Sequence, residues 1–202
     1  MARPIRTWHS AGYYHITIRG NNRQNIFHGA SDVNEYYRIL TYVYGKYQFE
    51  IYAFCIMNNH NHLLLRSYEA PLGKLMAIVN KRYSDYFRKK YNYTGQIYES
   101  RYFSKEIGPP TGLLNVSAYI HQNPLETKIP IVQAMEQYLY SSYQYYYHDI
   151  PSPFPFLNLH LLPRLMPVEK QKLKAYTQYC IQYKPVENPA SELLECQAPK
   201  QM

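Results

Sequence analysis

The alternation of apolar and polar positions divides most of the chain into short elements. Tyr13 to Arg19 reads Tyr-Tyr-His-Ile-Thr-Ile-Arg, a β-branched and aromatic run bounded by Gly12 and Gly20, and predicts a strand. A polar loop, Gly20 to Asn25, follows it. Ser31-Asp32-Val33-Asn34-Glu35 offers an N-cap and an acidic first turn, and Tyr36, Tyr37, Ile39, Leu40, Val43 and Tyr44 continue at helical spacing to about Lys46. Phe49 to Ile56 and His60 to Arg66 predict two strands whose short link, Met57-Asn58-Asn59, makes them an antiparallel hairpin.

Pro71 then opens a helix in which Leu72, Leu75, Met76, Val79, Tyr83, Tyr86 and Phe87 fall on one stripe, with Lys74, Lys81 and Arg88 opposite. The pattern ends between Tyr91 and Gly95. Tyr102 to Ile107 predicts a short fourth strand. Thr111 is placed to cap a helix from Gly112 to about Gln122, and Pro124 stops it. The order β-α-β-β-α-β plus a helix predicts an α+β fold: a ferredoxin-like (RRM-like) antiparallel sheet with helices on one face. After Leu125 the chain changes character. Tyrosines cluster from Tyr138 to Tyr147, prolines recur from Pro151 to Pro167, and Val168 to Tyr183 predicts a helix. The last fifteen residues read as disordered. The division expected is a domain over 1–147 and a Tyr/Pro-rich extension over 148–202.

Charge and composition narrow the classes. Across 202 residues, 22 Lys and Arg face 14 Asp and Glu, a net charge of +8, and 25 residues are Tyr but one is Trp. A basic, tyrosine-rich chain suits a polyanionic partner, since cations meet phosphates and phenol rings stack on bases. The bland alternative is a soluble domain that happens to be basic. No 18-residue apolar run exists to span a membrane. The basic N-terminus lacks the apolar stretch of a secretory signal. Three scattered Cys form neither a disulfide framework nor a zinc spacing, so a reducing cytoplasm is expected.

Two constellations carry chemistry. In His60-Asn61-His62, alternate side chains of a strand share a face, roughly 7 Å apart at Cα, so two imidazoles can converge on one ion, and an added amide oxygen makes Mg²⁺ or Mn²⁺ suitable. Chance His-x-His pairs are common, and hydrogen-bonded histidines are the alternative. In Tyr119-Ile120-His121-Gln122-Asn123-Pro124, Tyr119 and Asn123 share a helix face, beside a Leu113, Val116 and Ile120 stripe that docks on the sheet. Pro124 biases Asn123 away from helical geometry. For a single tyrosine among 25, packing is the alternative.

Five blocks together carry a family resemblance: Arg19-Gly20-Asn21-Asn22-Arg23-Gln24-Asn25-Ile26-Phe27; Met57-Asn58-Asn59-His60-Asn61-His62-Leu63-Leu64-Leu65; Gly95-Gln96-Ile97-Tyr98-Glu99-Ser100-Arg101-Tyr102; Tyr119 to Pro124; and Tyr138-Leu139-Tyr140-Ser141-Ser142-Tyr143. In order and spacing they resemble the single-tyrosine HUH transposases of the insertion-sequence-200 type, with the REP-associated tyrosine transposases as the nearest branch. The resemblance covers residues 1–147 and implies the HUH endonuclease architecture. It further implies a metal-dependent strand transferase acting on single-stranded or hairpin DNA. Tyr119 matches the nucleophile that forms a 5′-phosphotyrosine. His60 and His62 match the metal-binding histidines and Asn123 the polar third ligand, with Mg²⁺ or Mn²⁺ as cofactor. Arg19, Asn21, Arg23 and Arg101 lie in matched blocks and, with Lys81 and Arg82 of the long helix, are expected to contact DNA. Asn61 stands where the motif is usually hydrophobic, and Asn58 where proline is common. The implied location is the prokaryotic cytoplasm with the nucleoid. A single nucleophile leaves monomer and homodimer both open. A non-catalytic hairpin-binding module and a metal-dependent hydrolase are the rival functions.

Overall fold

The computed structural model of the chain describes residues 8–184. Four strands form one antiparallel sheet: β1 (Tyr13–Arg19), β2 (Phe49–Ile56), β3 (His60–Ser67) and β4 (Phe103–Ile107), in the order β2-β3-β1-β4. That is the order of the ferredoxin-like fold. Helices α1 (Ala30–Tyr44) and α2 (Leu72–Tyr91) cross over one face. There Ile16, Ile18, Phe54, Leu63 and Leu65 meet Tyr36, Leu40, Leu75, Val79 and Tyr83 in the larger apolar cluster.

The opposite face is also covered, which the expectation of helices on one face did not include. Helix α3 (Thr111–Gln122) lies on it, with the short helices α4 (Tyr143–Tyr147) and α5 (Leu161–Arg164) and the longer α6 (Lys172–Gln182). Tyr52, Cys55, Leu64, Leu113, Ala118, Ile120, Tyr143, Tyr146 and Tyr176 make the second cluster. The reason is the apolar content of α3 and of the chain that follows it. Tyr143 and Tyr146 are buried, so these two rings of the tyrosine cluster pack in the core. His121 is the hub beneath α6, with Nε2 3.0 Å from Ser142 Oγ and Nδ1 3.4 Å from the Tyr176 hydroxyl. The Gln122 amide donates to the carbonyls of Cys180 and Tyr183.

The chain after α3 also covers the sheet's open edge. Ser142 N donates to Phe54 O, Ile56 N to Tyr140 O, and Asn158 N to Ile51 O, so β2 presents no long unpaired row of backbone groups. The predicted C-terminal helix is shorter than expected because Gln171 adopts a left-handed conformation (φ 54°) and the regular turns begin after it. The residues expected to be disordered lie outside the described residues.

Helix starts differ by a residue from the sequence reading. Helix α1 begins at Ala30 with Gly29 as its N-cap, and Asp32 in its first turn accepts from His28 N at 2.7 Å. Helix α3 likewise takes Thr111 as its first residue rather than its cap. Asp32 is fully buried and also accepts from Lys90 Nζ (2.5 Å), the Tyr91 hydroxyl (2.7 Å) and the Tyr86 hydroxyl (2.9 Å), bolting the start of α1 to the end of α2. Burial alone would raise its pKa; Lys90, the His28 N–H and the two phenols outweigh that and hold the carboxyl below its ordinary value. Such a contribution is present above about pH 4 and lost as pH falls. Asp32→Asn is therefore expected to cost about 2–3 kcal/mol at pH 7, measured by urea unfolding. The gap to wild type should narrow toward pH 3; a gap that stays constant would contradict the charge's role.

Candidate active site

Pairing of β1 with β3 sets Thr17 opposite His62 and Arg19 opposite His60. Residues of one parity on both strands therefore share the face under α3: His15, Thr17 and Arg19 from β1, His60 and His62 from β3. The His60 and His62 rings stand 4.9 Å apart at their centroids and nearly perpendicular. Helix α3 brings Tyr119 edge-on to His62, with centroids 5.5 Å apart. Asn123 stays helical (φ −48°, ψ −39°) despite Pro124. Its Nδ2 donates to Tyr119 O at 2.9 Å, which compensates the proline's bias and keeps both residues on one helix face.

The hydrogen-bond pattern assigns the His60 tautomer. Asn59 Nδ2 donates to Arg23 O, so the Asn59 carbonyl oxygen faces His60 Nδ1, at 2.6 Å. That oxygen only accepts, so Nδ1 carries the proton and Nε2 keeps its lone pair. Asn123 Oδ1 lies 3.4 Å from Nε2. Two lone-pair atoms thus face each other, an arrangement that a shared cation relieves. His62 Nδ1 is engaged by His15 Nε2 at 2.9 Å and Thr17 Oγ1 at 3.0 Å. Donation from Nδ1 to either leaves Nε2 as the free ligand atom. The donor chemistry, two imidazoles and an amide oxygen, fits a divalent ion. Among the described residues no group of three His, Cys, Asp or Glu is arranged around one metal position.

The electrostatics keep these imidazoles neutral. Burial, then the Arg19 charge, lowers the His60 pKa to about 4, against the Asn123 contact that raises it. Burial and the neighbouring His60, His15 and Arg19 push His62 well below its ordinary value. Burial, then Lys105, takes His15 to about 3. The Tyr119 phenol is raised by burial, while Asn123 and the Arg19 guanidinium pull it down. Arg19 itself is half-buried, and burial followed by Arg23 lowers its pKa.

The other expected residues divide. Asn21 and Arg23 form a 3-10 turn at the His60 end of β1, tied to the hairpin turn where Gly20 N donates to Asn59 O and Ile26 N to Asn58 O. Gly20 is required there, because a Cβ would lie 2.2 Å from the Gln24 carbonyl oxygen. Lys81 and Arg82 are not at this site. They lie on α2, across the sheet, where Lys81 pairs with Asp85 and Arg82 stacks on the Tyr42 ring at 3.7 Å. Arg101 lines a cavity beside α2. Asn61, facing the α1/α2 side, is fully buried beside the Tyr36 hydroxyl. His15, Thr17 and Asn59 are the site residues that sequence reasoning missed.

Comparison with known proteins agrees with the fold. The family model described as "Transposase IS200 like" matches residues 9–123. No curated protein sequence matches the chain. A solved REP-associated tyrosine transposase bound to a REP hairpin shares the fold, with TM-score 0.61 and 15% identity over 79% of this chain and 93% of that one. A transposase-like protein of Deinococcus radiodurans overlaps less well, with TM-score 0.39 and 17% identity over 60% of this chain and 97% of that one.

Two outcomes follow from the buried imidazoles. His15, His60, His62 and also His121, which burial takes to about 3, have folded pKa values below the unfolded value near 6.5. The unfolded state then binds more protons below pH 6.5, so stability is full above it and falls as pH drops toward 4, by about 1.4 kcal/mol per pH unit for each histidine. Urea unfolding between pH 7 and pH 5 is expected to show this slope, and a flat profile would contradict it. The double variant His15→Ala/Thr17→Val is expected to weaken Mn²⁺ binding about 10–100-fold, measured by calorimetry; unchanged affinity would mean that His62 needs neither partner.

Proposed function

We propose that this chain, which belongs to the IS200-like transposase family, cleaves and rejoins single-stranded DNA folded into hairpins, with Tyr119 as the nucleophile. The observation that carries the reading is the convergence of Tyr119, His60, His62 and Asn123 on one face of the sheet. These groups come from a strand and a helix about sixty residues apart in sequence. Two neutral imidazoles and an amide oxygen gather beside a largely buried phenol, a grouping for which a purely structural core has no need.

The chain's own residues perform most of the work. Tyr119 Oη attacks phosphorus in line; the Oη–P bond forms and the P–O3′ bond breaks, leaving a 5′-phosphotyrosine and a 3′-hydroxyl that takes up a proton. The raised phenol pKa means that Tyr119 holds its proton until the substrate is in place, and Arg19 favours the phenolate as it forms. His60, His62 and Asn123 would hold Mg²⁺ or Mn²⁺, which supplies charge neutralisation at the scissile phosphate when bound. Arg19, Asn21 and Arg23 crown the same end of β1 and suit contacts to the phosphates on either side. Because the tyrosyl link conserves the energy of the broken bond, rejoining needs no nucleotide cofactor. With one nucleophile per chain, joining a second end calls for attack on the same link or for a second protomer.

The hairpin bound by the solved REP-associated transposase supports hairpin DNA as the partner here. Such a substrate places the protein with the nucleoid. Among the described residues no helix is long and apolar enough to cross a membrane.

The test is a denaturing gel with end-labelled hairpin oligonucleotides carrying single-stranded flanks. Wild type with Mg²⁺ or Mn²⁺ is expected to give a protein-linked band that a chelator abolishes. Tyr119→Phe should remove it entirely, and His60→Ala or His62→Ala should reduce it by two orders of magnitude or more. An adduct that persists in Tyr119→Phe contradicts the assignment. Release of free 5′-phosphate without an adduct would mark a hydrolase, and binding without cleavage under either ion would mark a binding module.

A further inference from the structure

The family-matched residues end at Asn123, and helix α6 lies beyond them. Polar contacts nevertheless join it to α3, the helix that carries Tyr119. The Tyr179 hydroxyl donates to Asn115 Oδ1, one turn before Tyr119. The Tyr176 hydroxyl meets His121 Nδ1 at 3.4 Å. Gln122 Nε2 donates to Cys180 O and to Tyr183 O, each at 2.8 Å.

Two gaps in helical hydrogen bonding meet at Gln122. The last carbonyls of an α-helix have no partner within it, and Cys180 and Tyr183 stand at the end of α6. One amide nitrogen carries two N–H groups, enough to cap both. On its own side, α3 runs into Pro124, which has no N–H to give to the carbonyl of Ile120. The turn that bears Asn123 is therefore held by other ties. Asn123 Nδ2 donates to Tyr119 O, Leu125 N donates to Gln122 O at 2.8 Å, and the buried Gln122 side chain reaches α6. Gln122 is thus next in sequence to Asn123 and one turn from Tyr119, while its amide is fixed to a different helix.

We propose that Gln122 is a positioning residue for strand cleavage. By capping α6 it fixes the height and rotation of the final turn of α3, and with them the Tyr119 phenol and Asn123 Oδ1 relative to His60 and His62. In-line attack is sensitive to displacements of about 1 Å, so a loosened turn slows the reaction without abolishing substrate binding. The inference rests on the reading of Tyr119 as nucleophile and gives α6 a part in it: the sheet supports α3 from beneath, and α6 holds its last turn from the side.

The experiment measures single-turnover adduct formation by the full chain at saturating end-labelled hairpin and Mn²⁺, alongside hairpin affinity. Gln122→Met keeps the side-chain length and removes both donors. It is expected to lower the rate about tenfold while hairpin affinity stays within twofold of wild type. Tyr179→Phe, which deletes the tie to Asn115, should lower the rate severalfold. Combined, the two should cost less than the product of their separate effects, because both release the same turn. Asp32→Asn weakens the fold in the other helical layer and is expected to keep the wild-type rate, which separates positioning from lost stability. If Gln122→Met matches wild type at saturation, whatever its urea stability, the residue is structural and the proposal is wrong. A rate above wild type would make α6 a brake and would equally overturn it. If wild type forms no adduct with any hairpin, the nucleophile reading itself fails, and this inference falls with it.

Discussion

The site depends on the register between β1 and β3. With Thr17 opposite His62 and Arg19 opposite His60, five polar side chains gather on one face beneath α3. Because side chains alternate along a strand, a slip of one residue would send His60 and His62 into the apolar layer under α1 and α2 and bring Asn61 and Leu63 to the catalytic side. The register is held at the turn. Gly20, Ile26 and Phe27 donate backbone hydrogen bonds to Asn58 and Asn59, so the polar loop after β1 clamps the hairpin immediately before His60.

The chemistry that this register creates is anion-seeking. His60, His62 and His15 are held neutral by burial, Asn123 brings an uncharged oxygen, and Arg19 adds a cation. No carboxylate is among these groups. A protein that binds metal ions for their own sake surrounds them with negative charge. Under the proposed function the negative charge would come from the substrate phosphate. Imidazole orientation is then the protein's main contribution, through Asn59 behind His60 and the His15–Thr17 pair behind His62.

Much of this was legible from residues alone, for identifiable reasons. Strand β1 shows itself by its β-branched run and its bounding glycines, and α2 by a twenty-residue amphipathic stripe. His60, His62 and Tyr119 stand out because they sit in blocks whose order resembles a known family. The supporting residues stayed hidden because they act across strands: His15 and Thr17 share a parity with Arg19, but that matters only once the β1–β3 register is known. Asn123 was harder still, since a local rule about the residue before proline opposed the helical geometry that its own side-chain hydrogen bond restores. Lys81 and Arg82 lie on α2, across the sheet from these groups, where the basic stripe of an amphipathic helix suits water as well as DNA. The second helical layer was missed because helical spacing does not say which face of the sheet a helix covers; here Tyr143, Tyr146 and Tyr176 bury their rings around His121.

With 25 tyrosines in the chain, the most direct measurement is to digest the protein–DNA adduct and locate the nucleotide by peptide mass spectrometry. The account predicts a 5′-phosphonucleotide on the peptide that contains Tyr119, at that residue and no other. A nucleotide found on Tyr98, on Tyr138 or on any residue outside α3 would contradict it.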